Sequence, residues 1–528
     1  MTNIGRAWKF GLGVFLACGL VVTAFAAPTS TQNGMAATVH PLATDAAVQA
    51  MRDGGNAVDA AVAAALTLGV VDGQNSGIGG GCFMLIGRPD GTFVALDGRE
   101  TAPAAATRDM FLREGKAEPD LSQTGALAIG IPGSLAVYDH AIRKFGKRSL
   151  KSYLLSAARI AEQGFAVNQD FAGRLKDSLE AMDKFPASRE VFLKADGTAY
   201  RAGDVIVQAD LAKSYRGLAE SGVDWFYRQP FPELAATWME KNGGLVTARD
   251  FHEYRFKQRE PVRSTYRGCE IVGFPPPSSG GVHVAQILNI LESFDLKAMG
   301  AGSVDFVHVV AEAMKLAFAD RAHWLGDPDF APVPRGLVSK AYAAELAKRI
   351  RMERVIEVAS QGEPPGATTD LFGKHTTHFS TADAEGNWVA CTATVNLSFG
   401  SKVVIPGTGI VMNDQMDDFS AQPGVPNAFG LVGSEANAVA PGKRPLSSMS
   451  PTLVLREGRP VLAVGAAGGP TIISQTVLAI VGVIDFGMAV EEALAQPRFH
   501  QQWKPDTLRV EKRMSEPVQR GLEARGHV

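Results

Sequence analysis

Apolar residues recur at helical spacing early in the chain, in Ala46, Val48 and Met51, and Gly54-Gly55 predicts the end of that helix before a second begins over residues 58–68. Alanine-rich helices of this kind pack closely. From Ser303 onward, Phe306, Val310, Met314 and Phe318 mark an amphipathic helix with Ser303 as its N-cap and Glu312 and Lys315 on its polar face. His308 and Glu312 stand one turn apart, as two metal ligands could, but the further ligands a closed site needs are not evident nearby, so a solvated pair is expected. Lys348-Arg349-Ile350-Arg351 interleaves with Glu345 and Glu353, which predicts an exposed mixed-charge helix and no nucleic-acid patch. Later the pattern becomes strand-like: Thr377-His378-Phe379-Ser380-Thr381 and Trp388-Val389-Ala390-Cys391-Thr392 flank the turn residues Asp383-Ala384-Glu385-Gly386-Asn387, a hairpin. Between Ala359 and Asp370, Gly, Pro and Thr give the composition of a mobile linker. No internal repeat appears at any solenoid period. Helices and strands mixed through a long chain predict a layered alpha-beta fold.

Composition adds a destination and removes some functions. Arg6 and Lys9, the apolar residues 10–22 and then Ala24-Phe25-Ala26 form a signal peptide over residues 1–26, cleaved after Ala26 or Ala27. The apolar run is short of the roughly 20 residues that span a membrane, and polar Pro28-Thr29-Ser30-Thr31 follows it. Cys18 offers a competing lipoprotein site, with only a short apolar region ahead of it. A periplasmic or fully secreted protein is expected. The remaining Cys82, Cys269 and Cys391 are odd in number and make no disulfide framework. With 46% apolar residues and a net charge of −3, the chain can bury a large core and carries no basic field for nucleic acid.

The chemistry concentrates in Lys374-His375-Thr376-Thr377-His378-Phe379-Ser380, followed by Thr394, Asn396 and Asn413-Asp414-Gln415-Met416-Asp417-Asp418. A threonine hydroxyl is a weak nucleophile unless a base sits beside it, and one economical base is the residue's own alpha-amine, freed by cutting the preceding bond. Thr376 is the candidate. Its hydroxyl would attack the His375 carbonyl, form an ester by N-to-O acyl shift, and release a new N-terminus on hydrolysis. The linker ahead of it would let the ends separate, and the strand after it would hold the nucleophile within the tolerance that attack requires. Gly79-Gly80-Gly81 lacks the Lys-Ser/Thr of a phosphate loop and reads as tight backbone packing.

The segment resembles the start of the small subunit of gamma-glutamyltransferases, members of the N-terminal nucleophile hydrolases. Leu96-Asp97-Gly98-Arg99-Glu100, Ser76-Gly77-Ile78-Gly79-Gly80-Gly81, Pro275-Pro276-Pro277-Ser278-Ser279-Gly280-Gly281, Pro445-Leu446-Ser447-Ser448-Met449-Ser450-Pro451-Thr452 and Gly468-Gly469 extend the resemblance over nearly the whole chain. It implies an α+β, four-layer αββα sandwich, with a large subunit over residues 27–375 and a small catalytic subunit over residues 376–528 that stay together as a heterodimer. It also implies that Thr394 holds and polarises the Thr376 oxygen and that the backbone of Gly468 and Gly469 forms the oxyanion hole. A gamma-glutamyl group carries an alpha-carboxylate and an alpha-ammonium. By resemblance Arg99, with Ser447 and Ser448, takes the first, and Asn396, Gln415 and Asp418 surround the second. The expected donor is glutathione or a related gamma-glutamyl compound, and the acceptor is water, an amino acid or a dipeptide. The chemistry calls for no metal and no organic cofactor.

Two features depart from that pattern. Phe429, in the lid segment Gln422-Pro423-Gly424-Val425-Pro426-Asn427-Ala428-Phe429, stands where related bacterial enzymes often carry a tyrosine whose hydroxyl reaches the asparagine matching Asn396. The chain also ends at Val528 where family members usually continue, so missing edge strands and impaired maturation are expectations. Two competing readings remain. One is a glutaryl or cephalosporin-type acylase, whose substrate lacks the ammonium that Asp418 would bind. The other is an uncleaved, inactive paralogue that persists as a binding protein.

Overall fold

The computed structural model describes residues 34–365 and 377–528. The predicted signal peptide, residues 366–370 of the predicted linker, His375 and Thr376 lie outside the described residues.

Two antiparallel sheets organise the chain. The larger runs, in spatial order, Met35–Ala37, Thr377–Ala382, Trp388–Thr394, Gly81–Gly87, Phe93–Gly98 and Lys257–Arg259. The smaller runs Arg459–Val464, Thr452–Arg456, Cys269–Gly273 and Val262–Tyr266. The hairpin expected after residue 376 is present, with His378 opposite Thr392 and Ala382 opposite Trp388. Its turn is held by Asp383, whose Oδ1 accepts from the Glu385 and Asn387 amides, while Oδ2 accepts from the Ala57 amide at 2.9 Å and so ties the turn to a helix start.

Side chains alternate between the two faces of a strand, and this alternation divides the core. Phe83 and Leu85 of the central strand, with Ala95 and Ala390, pack against Val272, Leu453 and Leu455 of the smaller sheet and Phe274 just past it. Cys82, Met84 and Ile86 point the other way, into a cluster with Ala61, Leu68 and their helix, Ala57–Val71. That helix is apolar nearly all round and is buried along nearly its whole length, as such a pattern requires. It begins at an Asn56 N-cap with a reciprocal Asp59 capping box and runs to Val71, three residues past the expected span. The helix Gly280–Leu291 plays the corresponding part on the smaller sheet.

Ser303 caps the helix Val304–Trp324 through the Phe306 amide, as its sequence predicts. The polar face of that helix is a correction. His308, Glu312 and Lys315 are buried, not solvated, because residues 350–358 and the end of the chain lie over them. Lys315 Nζ pairs with Glu312 at 3.1 Å and Asp506 at 3.0 Å, and Glu312 Oε2 accepts from the Ile356 amide at 2.7 Å. The basic cluster is a second correction: the helix Lys340–Ala347 stops before Lys348, and Ile350 turns into the core. Among the described residues no group of His, Cys, Asp and Glu could hold a metal ion, and no helix is long and apolar enough to cross a membrane. Cys82, Cys269 and Cys391 are buried free thiols.

Candidate active site

Gly79 and Gly80 lie where the central strand meets its neighbours. A Cβ on Gly79 would collide with the Val411 carbonyl, and one on Gly80 with the Thr394 carbonyl, so only glycine admits this approach. Asn413 stitches the junction. Its Nδ2 donates to the carbonyls of Gly79 (2.8 Å) and Gly130 (2.9 Å), and its Oδ1 accepts from the amides of Gly130 and Gln415, both at 3.0 Å. The whole hydrogen-bonding capacity of the buried amide is thereby used.

Thr394 ends its strand fully buried, and its Oγ1 accepts from the Asn396 amide at 2.8 Å. Asn396 adopts a left-handed backbone with φ of 79°, uncommon outside glycine, and its Nδ2 donates to the Asp414 carbonyl at 3.0 Å. Its Oδ1 has no hydrogen-bond partner among the described residues. On the adjacent strand Thr377 Oγ1 donates to Asp72 Oδ2 at 2.7 Å. Asp72 Oδ1 accepts from the side-chain amides of Gln74 and Asn75, and burial pushes the Asp72 carboxyl up to about 6. Sequence reasoning missed Asp72, although an acid closing a helix this rich in apolar residues was a usable signal. His378 lies between Thr392 and Ser380, each 3.0 Å away, and burial pushes its pKa down to about 3, leaving it neutral.

Arg99 is buried. Its Nε donates to the Pro445 carbonyl at 3.0 Å, and Nη2 donates to the Leu446 carbonyl at 3.3 Å and to Asp418 Oδ2. Gln415 Nε2 donates to the same Asp418 oxygen at 2.7 Å from within the short turn Gln415–Asp418. Glu100 sits 3.7 Å from Arg99 Nη1, and burial raises its carboxyl to about 8. Burial likewise holds Asp414 well above the usual carboxylate range, while its Oδ1 accepts from the Leu397 amide at 3.0 Å. Ser447 and Ser448, next to the carbonyls that hold Arg99, are buried; Ser448 Oγ has no hydrogen-bond partner among the described residues. The Ser447 carbonyl accepts from the Ser279 amide at 2.8 Å, and Ser279 Oγ accepts from Arg321 Nε at 3.3 Å. Arg321 also escaped sequence reasoning: buried at 2% exposure, with its pKa lowered to about 10 by burial, it is a second guanidinium near Asp418.

Arg321, Asp417, Asp418 and Leu446 line a cavity of about 120 Å³, together with Val425 and Pro426 of the predicted lid and Leu431 just beyond it. Gly468 and Gly469 enter from another element, the turn between the strand Arg459–Val464 and the helix Thr471–Ile484, with φ of 114° and 68°. Gly465, on the same turn, lies against the His378 ring. The structure thus joins Arg99, Gln415 and Asp418 directly, links Thr394 to Asn396, and leads the glycine turn past the strand that follows Thr376.

Comparison with known proteins supplies the family. Residues 43–528 match the family model described as Gamma-glutamyltranspeptidase. A glutathione hydrolase proenzyme of Escherichia coli is 46% identical over 502 residues, covering 94% of this chain and 86% of that protein. The crystal structure of a cephalosporin acylase from Bacillus halodurans superposes with a TM-score of 0.84 at 30% identity, over 94% of this chain and 88% of that one. A gamma-glutamyltranspeptidase from Helicobacter pylori has a TM-score of 0.62 at 40% identity, over 64% of this chain and 97% of that one.

Proposed function

Since the chain belongs to the gamma-glutamyltranspeptidase family, we propose that it is a self-processing gamma-glutamyltransferase that cleaves glutathione and related gamma-glutamyl amides. The observation that carries this reading is the buried Arg99–Asp418 pair with Gln415 beside it. A gamma-glutamyl group presents opposite charges on one carbon, and a pocket made of one fixed cation and one fixed anion is complementary to both.

In the proenzyme Thr376 attacks the His375 carbonyl and the resulting ester is hydrolysed, leaving a large subunit over residues 27–375 and a small subunit over residues 376–528 as a heterodimer. The freed alpha-amine then takes the Thr376 hydroxyl proton as the oxygen attacks the gamma-carbonyl of the donor. Thr394 holds the nucleophile's oxygen, and the amides of Gly468 and Gly469 receive the developing oxyanion. Collapse expels the amine, which leaves with the proton, and a gamma-glutamyl ester remains on Thr376. Water, an amino acid or a dipeptide takes the acyl group. Arg99, Ser447 and Ser448 hold the alpha-carboxylate, while Asp418, Gln415 and Asn396 hold the ammonium. The substrate's carboxylate and ammonium supply the counter-charges that Arg99 and Asp418 give each other in the free site, so neither buried charge is left unpaired on binding.

The two sheets packed face to face between helices support a four-layer αββα sandwich of the N-terminal nucleophile hydrolase type. The signal peptide at residues 1–26 directs the protein to the periplasm or beyond.

A second reading has the acylase of Bacillus halodurans in its favour. A glutaryl amide would leave Asp418 without its ammonium, which weighs against it. Mass and N-terminal sequencing of the purified protein, with a Thr376→Ala control, test self-cleavage: two fragments, one beginning Thr-Thr-His-Phe-Ser, are expected only from the parent. Parallel assays on a gamma-glutamyl anilide and a glutaryl anilide decide the acyl group. A single uncut chain in both proteins, or faster cleavage of the glutaryl compound, would overturn the proposal.

A further inference from the structure

The lid wall ends in a small hairpin. Pro426 bridges Val432, the Asn427 amide donates to the Leu431 carbonyl at 3.1 Å, and Asn427 Oδ1 accepts from the amides of Phe429 (3.1 Å) and Leu431 (3.3 Å). Its inner side faces the cavity that holds Asp417 and Asp418, and Asn427 Nδ2 reaches the Asp417 carbonyl at 3.4 Å. The tip is held from outside by Gln502, a side chain only 3% exposed. Gln502 Nε2 donates toward the carbonyls of Phe429 (3.3 Å), Gly430 (3.2 Å) and Lys504 (3.2 Å).

Those carbonyls fix which way the Gln502 amide faces, and the rest of the chain of bonds follows. Oε1 must accept, so His500 Nε2, 3.0 Å away, is the donor. His500 Nδ1 is then an acceptor for Ser474 Oγ at 2.8 Å, and takes the hydroxyl proton in preference to the Thr471 carbonyl, 3.1 Å from the same oxygen. Ser474 lies in the first turns of the helix Thr471–Ile484, directly after Gly468 and Gly469. Hydrogen bonds that all run in one direction polarise one another, and Ser474, His500 and Gln502 are buried from water.

We propose that Gln502 is a positioning residue for acyl transfer: it latches the 426–432 hairpin over the Asp418 cavity and, through His500 and Ser474, ties lid closure to the turn that carries Gly468 and Gly469. The inference rests on the gamma-glutamyl transfer reading and adds to it the device that keeps the acyl group shielded. A lid fastened through its backbone carbonyls can be held whatever side chain occupies residue 429. Releasing it admits water to the ester ahead of a bulkier acceptor and weakens donor binding.

The test compares the parent with Gln502→Ala, Gln502→Glu and Ser474→Ala, assaying hydrolysis and transfer of a gamma-glutamyl anilide with glycylglycine as acceptor, after confirming that each matures into two fragments. Gln502→Glu keeps the acceptor for His500 but, when ionised, has no N–H for the lid. Both Gln502 variants are expected to raise donor KM and the hydrolysis-to-transfer ratio about fivefold, the factor one ordinary hydrogen bond carries, with a smaller change in kcat. Ser474→Ala should move the ratio in the same direction by less. Matured Gln502 variants with the parent's KM and ratio would overturn the inference, and so would a fall in kcat alone. Should the Gln502 variants fail to mature, chymotryptic nicking after Phe429 is measured in the Thr376→Ala background: faster nicking with Gln502→Ala supports the latch, and an unchanged rate refutes it. A parent protein with no activity toward the anilide would instead refute the functional reading, while the nicking comparison would still decide the latch.

Discussion

Arg99 and Asp418, 319 residues apart in the chain, meet as a fully buried ion pair in which Arg99 Nη2 donates to Asp418 Oδ2. Each is a counter-charge to the other; Gln415 Nε2 also donates to Asp418, and the Pro445 and Leu446 carbonyls accept from Arg99. Removing one member leaves a buried charge unpaired, at roughly 3–5 kcal/mol, so Asp418→Ala is expected to lower the melting temperature and the yield of cleaved protein. Asp418→Asn keeps the shape and loses the charge; its gamma-glutamyl over glutaryl preference should fall at least about tenfold, equivalent to ~1.4 kcal/mol. Paired kcat/KM measurements on the two anilides check it.

Arg99→Lys is expected to lower kcat/KM for the donor about 100-fold, or roughly 2–3 kcal/mol, because an ammonium cannot serve the Pro445 carbonyl, Asp418 and a substrate carboxylate with one planar fork. Steady-state kinetics on cleaved protein decide this, and parent-like values would remove Arg99 from the donor pocket.

Glu100 supplies a pH signature. Its folded carboxyl stays protonated up to about 8, whereas a free glutamate side chain ionises near 4.5. Between those values the folded chain holds a proton that the unfolded chain has released, so this group makes stability fall as pH rises toward 8. Above 8 its charge, 3.7 Å from Arg99, competes for the guanidinium with the substrate carboxylate. Glu100→Gln is expected to flatten the decline in melting temperature from pH 5 to 8 and to move the alkaline limb of kcat/KM upward. Thermal scans and pH–rate profiles of both proteins measure these effects.

Phe429→Tyr restores a hydroxyl to the lid, and Asn396 Oδ1 is without a partner among the described residues. By the resemblance, the tyrosine is expected to engage Asn396 and to raise transfer relative to hydrolysis by about threefold, within the range of one hydrogen bond. The gain should vanish in an Asn396→Ala background, and product analysis with glycylglycine present reads it directly.

Gly80→Ala forces a methyl against the Thr394 carbonyl. Strain of roughly 3 kcal/mol is expected, displacing the strand that ends at Thr394 and slowing self-cleavage. Gel analysis of the fraction cleaved over time checks it.

How much of this was legible in the chain depends on the range of the interaction. The hairpin after residue 376, the Ser303 cap and the breaks at Gly54-Gly55 were readable because period, capping and turn chemistry act within a few residues. Order along the chain also carried the family resemblance. The polar face of Val304–Trp324 was misread because periodicity shows that a face is polar without showing what covers it; here other segments bury it and pair its charges.

By itself, then, the sequence determined the local elements, the absence of a disulfide framework and the residue types that candidate the chemistry. Only the tertiary structure decided that Arg99 faces Asp418, that Asp72 holds Thr377, that Arg321 supports Ser279 and that Gln502 reaches the lid. These partners lie tens to hundreds of residues apart, and a contact across such separations is set by how sheets and helices pack, which no short stretch of chain encodes.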